Sequence, residues 1–425
     1  MPTVAPYGTT VGTLKQLKMG KLHIDYKWKL IIMLWCAYFL NQGDRQVFNV
    51  VIPLIKDDLK LTDVQLGLVA SVFTIVYGCL VPFGGYLGDI LKRKWIVFIS
   101  LFIFSAGTLC TGFAGGLTSL IILRGITTGG GEAFYYPAAT SLLSQYHKKT
   151  RALALSIHQT SLYVGIVASG FISAYIGEHY GWRISFFTFG IGGLILCSYL
   201  FFNLKDTPQE VKEVRLSILY VVREIFKKKT TWMLCLAFGA MCFVNIGYVT
   251  WMSTFYHEKF QLSLSTAGFT SMFYHFGAAF IGVLVGGRLS DKYSMVRKTI
   301  RMETEFIGLL LGAPFIFLMG YTSNLYVSYT MLALFGFFRG IYDSNLYAAL
   351  FDVISPDLRS SSVGIMTAFA FIVGAFAPVV LALLKSTYGL SFGISFLSVF
   401  YLIGAIAVFV AIKFFFLKEF YYEKK

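Results

Sequence analysis

The chain has 425 residues, of which 56% are hydrophobic and only 13% charged, with a mean hydropathy of +0.69. Soluble domains carry about 25% charged residues, so this composition excludes a water-soluble fold and makes lipid the solvent for most of the chain. The net charge of +15 comes from 36 Lys+Arg against 21 Asp+Glu; the basic residues cluster between hydrophobic runs, which points to anionic lipids at the cytoplasmic face and not to nucleic acid.

Crossing a bilayer takes about 20 apolar residues. Runs of that size fall at 29–55, 65–87, 95–114, 118–145, 152–178, 184–203, 231–257, 266–287, 301–322, 325–352, 362–384 and 391–417. All are helices on this reading, because lipid cannot satisfy free backbone groups. The fold class is therefore an all-α polytopic membrane protein with twelve transmembrane spans. Lys and Arg concentrate in alternate loops, and only Lys56, Lys60, Arg183, Lys259 and Lys385 fall on the other side. The positive-inside rule then places both termini in the cytoplasm.

The organisation follows. Residues 1–28 form a cytoplasmic segment, 29–203 a first six-helix bundle, 204–230 a cytoplasmic linker, 231–417 a second bundle and 418–425 a tail. In the linker, Leu216, Leu219, Val222 and Phe226 share one face, which predicts an amphipathic helix on the membrane surface. Cys36, Cys79, Cys110, Cys197, Cys235 and Cys242 lie inside apolar runs and read as small core residues, with no disulfide or metal pattern.

The two halves repeat. Gly85-Tyr86-Leu87-Gly88-Asp89, then Lys92-Arg93-Lys94, recurs as Gly287-Arg288-Leu289-Ser290-Asp291, then Lys292. Arg124-Gly125-Ile126 recurs as Arg339-Gly340-Ile341, and Arg151 as Arg359, in the same order. That is the mark of a duplicated unit.

Charges inside spans cost several kcal/mol unless they face water or a partner, so each is a functional candidate. Asp44 and Arg45 lie in span one, Arg124 and Glu132 in span four, Arg339 and Asp343 in span ten. Two guanidinium groups in one half can grip a carboxylate through parallel hydrogen bonds. Asp44 and Glu132 can exchange protons as that site fills and empties. A structural alternative stands beside this: the arginines also suffice to neutralise Asp44 and Glu132, and Arg339–Asp343 fits a helix-internal pair.

With its duplicated turn the chain resembles the major facilitator superfamily. The resemblance implies two pseudo-symmetric six-helix bundles around a central cavity that opens to each side in turn. It assigns Gly85, Asp89, Arg93, Gly287, Asp291, Arg339 and Asp343 to the conformational change. A narrower resemblance is carried by Asn41-Gln42-Gly43-Asp44-Arg45 and by Gly131-Glu132-Ala133-Phe134-Tyr135-Tyr136-Pro137-Ala138-Ala139, which look like the N-Y-x-D-R and G-E-x-x-x-F-P-A-A of the anion:cation symporters. It implies proton-coupled symport of a small organic anion, a sugar acid or another carboxylate. Arg45 and Arg124 would bind the anion, Asp44 and Glu132 would handle protons, and Tyr77 would line the site. Gln42 stands where that family has tyrosine. Gln42, Gln159, Tyr135 and Asn345 are further substrate-facing candidates.

Arg124 and Glu132 are eight apart where the family has seven, which turns them about 80° from each other on a regular helix. A π-bulge near Gly129-Gly130-Gly131 is expected to restore their facing. Spinster-type lipid transporters share the Asp-Arg of span one and the span-four pattern, which gives a lipid or amphiphile carrier as the alternative. A non-transporting membrane receptor or sensor is the alternative from another class. No enzyme motif is present, and neither metal nor cofactor is expected. The expected form is a monomer in a bacterial inner membrane.

Overall fold

The computed structural model describes residues 25–421 apart from 148–149, 206–217, 295 and 356–357, and only the backbone of 85–90, 152, 218–221 and 360. Twelve helical rods follow one another. They are Tyr26–Leu59, Asp63–Ile90, Arg93–Thr111, residues 117–146, Arg151–Tyr180, Trp182–Asn203, Lys229–Phe260, Leu264–Ser294, Ile300–Tyr321, and residues 325–351, 359–388 and 390–419. They are spans one to twelve below. No strand occurs among the described residues.

Nine rods are long and apolar enough to cross a membrane, by length and composition, among the described residues. The remaining three are spans one, four and ten. These carry Asp44–Arg45, Arg124–Glu132 and Arg339–Asp343. Spans four and ten are also broken by turns, at 133–134 and 344–345. Backbone groups freed by such breaks need partners other than lipid, which restricts them to protein-lined or watered positions.

Spans one to six pack mainly among themselves, as do spans seven to twelve; across the two sets, five meets eight, two meets eleven and one meets seven. The two described ends lie on one face: His147 Nε2 meets the Lys27 carbonyl at 2.9 Å, and Glu419 accepts from the amides of Lys229 and Thr230 at 2.9 and 2.8 Å. We call it the terminal face. The linker helix, Ile218–Phe226, buries Ile225 and packs against spans seven and eleven. Leu216 lies outside the described residues, and so does the Leu219 side chain.

On the opposite face the halves are tied by ions. Lys385 Nζ of span eleven lies 3.1 Å from Asp63 Oδ1 of span two and 2.7 Å from Glu258 Oε1 of span seven. Asp63 also takes Lys56 at 2.8 Å. Beside this network, Glu178 of span five accepts from the amide of Ser265, at the start of span eight, at 3.2 Å.

Spans eight and ten approach at van der Waals contact of their backbones. A Cβ on Gly336 would sit 2.2 Å from the His275 carbonyl, and one on Gly340 2.1 Å from that of Ala279. In lipid, small residues of this kind let helices approach closely and gain dispersion contact. Gly340→Val should therefore force the helices apart and cost on the order of 3 kcal/mol, the upper end for over-packing. The check is the melting temperature in detergent; an unchanged value would show that this contact is slack.

Candidate functional site: an arginine pair on a shared carboxylate

Span four is not a regular helix where the charges lie. Residues Ile121–Thr128 form a π-helix, with α-helix before and after. Thr127 and Thr128 donate their hydroxyls to the carbonyls of Ile122 and Leu123, five residues back, each at 2.9 Å. Those bonds stabilise the widened turn. One extra residue in the turn makes eight positions behave as seven, which leaves Arg124 and Glu132 about 20° apart instead of 80°. The expected bulge is present, one turn earlier than the glycines. Gly129 and Gly131 serve close packing instead: a Cβ would lie 2.9 Å from the Phe73 carbonyl and 2.7 Å from the Phe104 amide nitrogen.

Span one brings Arg45 to the same place. Its Nε donates to Glu132 Oε2 at 2.5 Å, while Arg124 Nη1 lies 4.0 Å from Glu132 Oε1. Arg124 Nη2 also donates to the Arg45 carbonyl at 3.4 Å. Two guanidinium groups thus share one carboxylate. Aromatic faces complete the setting: Arg45 lies 4.3 Å from the Tyr77 ring centroid, Arg124 4.5 Å from that of Phe73. The side chain of Arg45 is 21% exposed, against 3% for Arg124 and none for Glu132. Arg45 is the group a solute meets first. Asp44 is buried, and neither of its oxygens makes a hydrogen bond of ordinary length and angle among the described residues.

The other residues singled out in the sequence are placed as follows. Tyr77 joins the cluster. Gln159 accepts from the Tyr136 hydroxyl at 3.3 Å. Tyr135 is fully buried and gives its hydroxyl to the Leu34 carbonyl at 2.6 Å, so Tyr136 is the more accessible of the two tyrosines. Gln42 is buried and donates to Asn41 Oδ1 at 2.9 Å; Asn345 is buried in the span-ten break and donates to Ser344 Oγ at 2.8 Å. Neither Gln42 nor Asn345 is brought to the arginines. Of Gly85 and Asp89 only the backbone is described. Arg93 is buried, Asp291 is exposed, and Gly287 faces open space.

A second group sits in the other half. Arg339 Nη1 meets His275 Nε2 at 2.9 Å and Arg339 Nε lies 3.4 Å from Asp343 Oδ2. Sequence reasoning did not pair His275 with Arg339, since they lie on different spans. It also missed Phe73; its position one turn before Tyr77 on the same face was the available signal.

The family model of the Major Facilitator Superfamily matches residues 34–378. The chain belongs to that superfamily. It is an integral membrane protein of a transporter family and not an enzyme. Among curated relatives, the hexuronate transporter of Bacillus subtilis is 26% identical over 91% of this chain and 93% of its own length. The D-galactonate transporter of Escherichia coli is 26% identical over 89% of this chain and 93% of its own. Among solved structures, a bacterial homologue of the human lysosomal transporter spinster, inward-facing and occupied, aligns with a TM-score of 0.81 at 21% identity, over 94% of this chain and 99% of that one. That last likeness concerns the major facilitator fold alone.

Proposed function

We propose that the chain carries a small organic anion, a sugar acid or another carboxylate, inward by proton-coupled symport. The observation that supports this most directly is the shared carboxylate: Arg45 and Arg124 converge on Glu132, which leaves one guanidinium charge in excess at an accessible edge whenever Asp44 is protonated. A carboxylate solute docks on Arg45 by two parallel bonds and draws it off Glu132. Glu132 then loses its closest cation, and a proton takes the cation's place. Asp44, buried and unpaired, is the second proton carrier. The named substrates of the relatives, hexuronate and D-galactonate, are of this chemical class.

In this reading residues 29–203 and 231–417 rock as two bodies joined by 204–230, in a bacterial inner membrane with both termini cytoplasmic. The Lys385–Asp63–Glu258 network then lies on the outer face as a latch of the inward-open state. Lys385→Ala should raise the labelling from outside of a cysteine placed in the cavity by several-fold, because one cross-half tie is lost. Equal labelling in both proteins would show that the network holds nothing shut.

The test of function is uptake in proteoliposomes. Under an inward proton gradient, labelled hexuronate or galactonate should accumulate above equilibrium, and a protonophore should discharge it. Passive equilibration alone would overturn the coupling, and no flux at all would favour a receptor. One observation favours a lipid carrier as the second reading. An apolar groove of about 710 Å³ runs between spans five and eight, lined by Tyr163, Val167, Phe171, Phe273, Phe276 and Phe280. Lysolipid flux in place of sugar-acid flux would decide for it.

A further inference from the structure

Arg339 and Asp343 fall four apart along span ten, on one helix face. Asp343 is 28% exposed at its side chain and Arg339 12%, while His275 behind them is fully buried. The order from the open side inward is therefore acid, guanidinium, imidazole. Tyr163, from span five of the other half, packs its ring 6.3 Å from that of Phe276, over which the Arg339 guanidinium lies at 5.4 Å. The group thus faces the half that holds Arg45.

Its charge differs from that of the first site. A guanidinium only donates, so His275 Nε2 accepts from Arg339 and the ring adds no charge there. Arg339 and Asp343 then cancel. The contact between them is long at 3.4 Å, and Arg339 Nε has no hydrogen-bond partner. What this wall offers is a partly exposed guanidinium donor beside a carboxylate acceptor, with no net charge. That pattern suits hydroxyl groups, which both give and take hydrogen bonds. It does not suit a second carboxylate, which Asp343 would repel.

We propose that Arg339 and Asp343 bind the hydroxylated tail of the substrate and make the transporter selective for sugar monoacids over sugar diacids. The inference rests on the anion reading of Arg45 and extends it. The carboxylate lies on the first half, the polyol on the second, and a monoacid bridges the two. His275 is a positioning residue that holds the guanidinium in place.

The test uses the full chain in detergent, titrated with D-galactonate and with D-galactarate, the diacid on the same carbon skeleton. Wild type should bind galactonate at least about tenfold more tightly. Asp343→Asn leaves the wall positive and should shift the galactonate-to-galactarate ratio by about tenfold towards the diacid. Arg339→Gln leaves it negative and should shift the ratio the opposite way. Wild type binding both acids equally would overturn this inference and leave the Arg45 site standing. So would a ratio unmoved in both folded variants. Wild type binding neither acid would overturn the anion reading itself. The wild-type ratio needs no variant to fold.

Discussion

Arg45→Lys should weaken anion binding on the order of 10–100-fold while leaving the melting temperature close to that of wild type. Lysine keeps the positive charge near Glu132, so the buried carboxylate is still compensated. It loses the planar fork that grips a carboxylate twice, and a charge-assisted hydrogen bond contributes about 1.5–3 kcal/mol. It also loses the guanidinium's contact with the Tyr77 ring, 4.3 Å from its centroid. Arg45→Ala behaves differently. It leaves Glu132, wholly buried, with Arg124 at 4.0 Å as its ionic partner. Breaking a buried pair from one side costs about 3–5 kcal/mol, so stability should fall together with binding. Titration calorimetry and thermal melts of the two variants separate these effects. Lysine binding as tightly as arginine would mean that the fork never touches the solute, and the site would have to be sought elsewhere.

The rule that mid-span charges are expensive located spans one, four and ten from composition alone, and these three carry both polar clusters. The eight-residue spacing of Arg124 and Glu132 even demanded a π-turn. Its position was harder to read. Glycines look like the weak point of a helix, but here Gly129 and Gly131 are consumed by close contacts with spans two and three. The signal lay in Thr127 and Thr128, whose hydroxyls reach carbonyls five residues back.

Tyr135 and Tyr136 show a second limit. The turn at 133–134 resets the helix phase, so periodicity carried through from Arg124 cannot say which tyrosine faces the arginines. His275 and Arg339 show a third. Their contact depends on the relative height of spans eight and ten, which Gly336 and Gly340 set through backbone packing. No one-dimensional pattern carries that register. Lys385 stands out in the sequence as one of few basic residues on its side of the spans, but its bond to Asp63, on a span of the other half, was not legible.

Asp44→Asn should separate exchange from accumulation. Asp44 sits one residue before Arg45, is buried, and makes no hydrogen bond through either oxygen among the described residues. Arg45 and Arg124 make their ion pairs with Glu132. A bare carboxylate in such a place costs several kcal/mol. On the symport proposed above, a proton picked up on one side and released on the other would meet that cost, and its transfer would tie anion movement to the gradient. Asparagine keeps the size and polarity of the protonated acid but cannot release anything. Labelled sugar acid should still exchange across the membrane when unlabelled acid waits inside, at a rate within a few-fold of wild type, because Arg45 and Arg124 are intact. Under an inward proton gradient with empty vesicles, the same variant should fail to concentrate its substrate. Glu132→Gln should lose both activities, since Glu132 also organises the two arginines. If Asp44→Asn concentrates substrate as well as wild type, Asp44 carries no coupled proton, and Glu132 alone would have to do so.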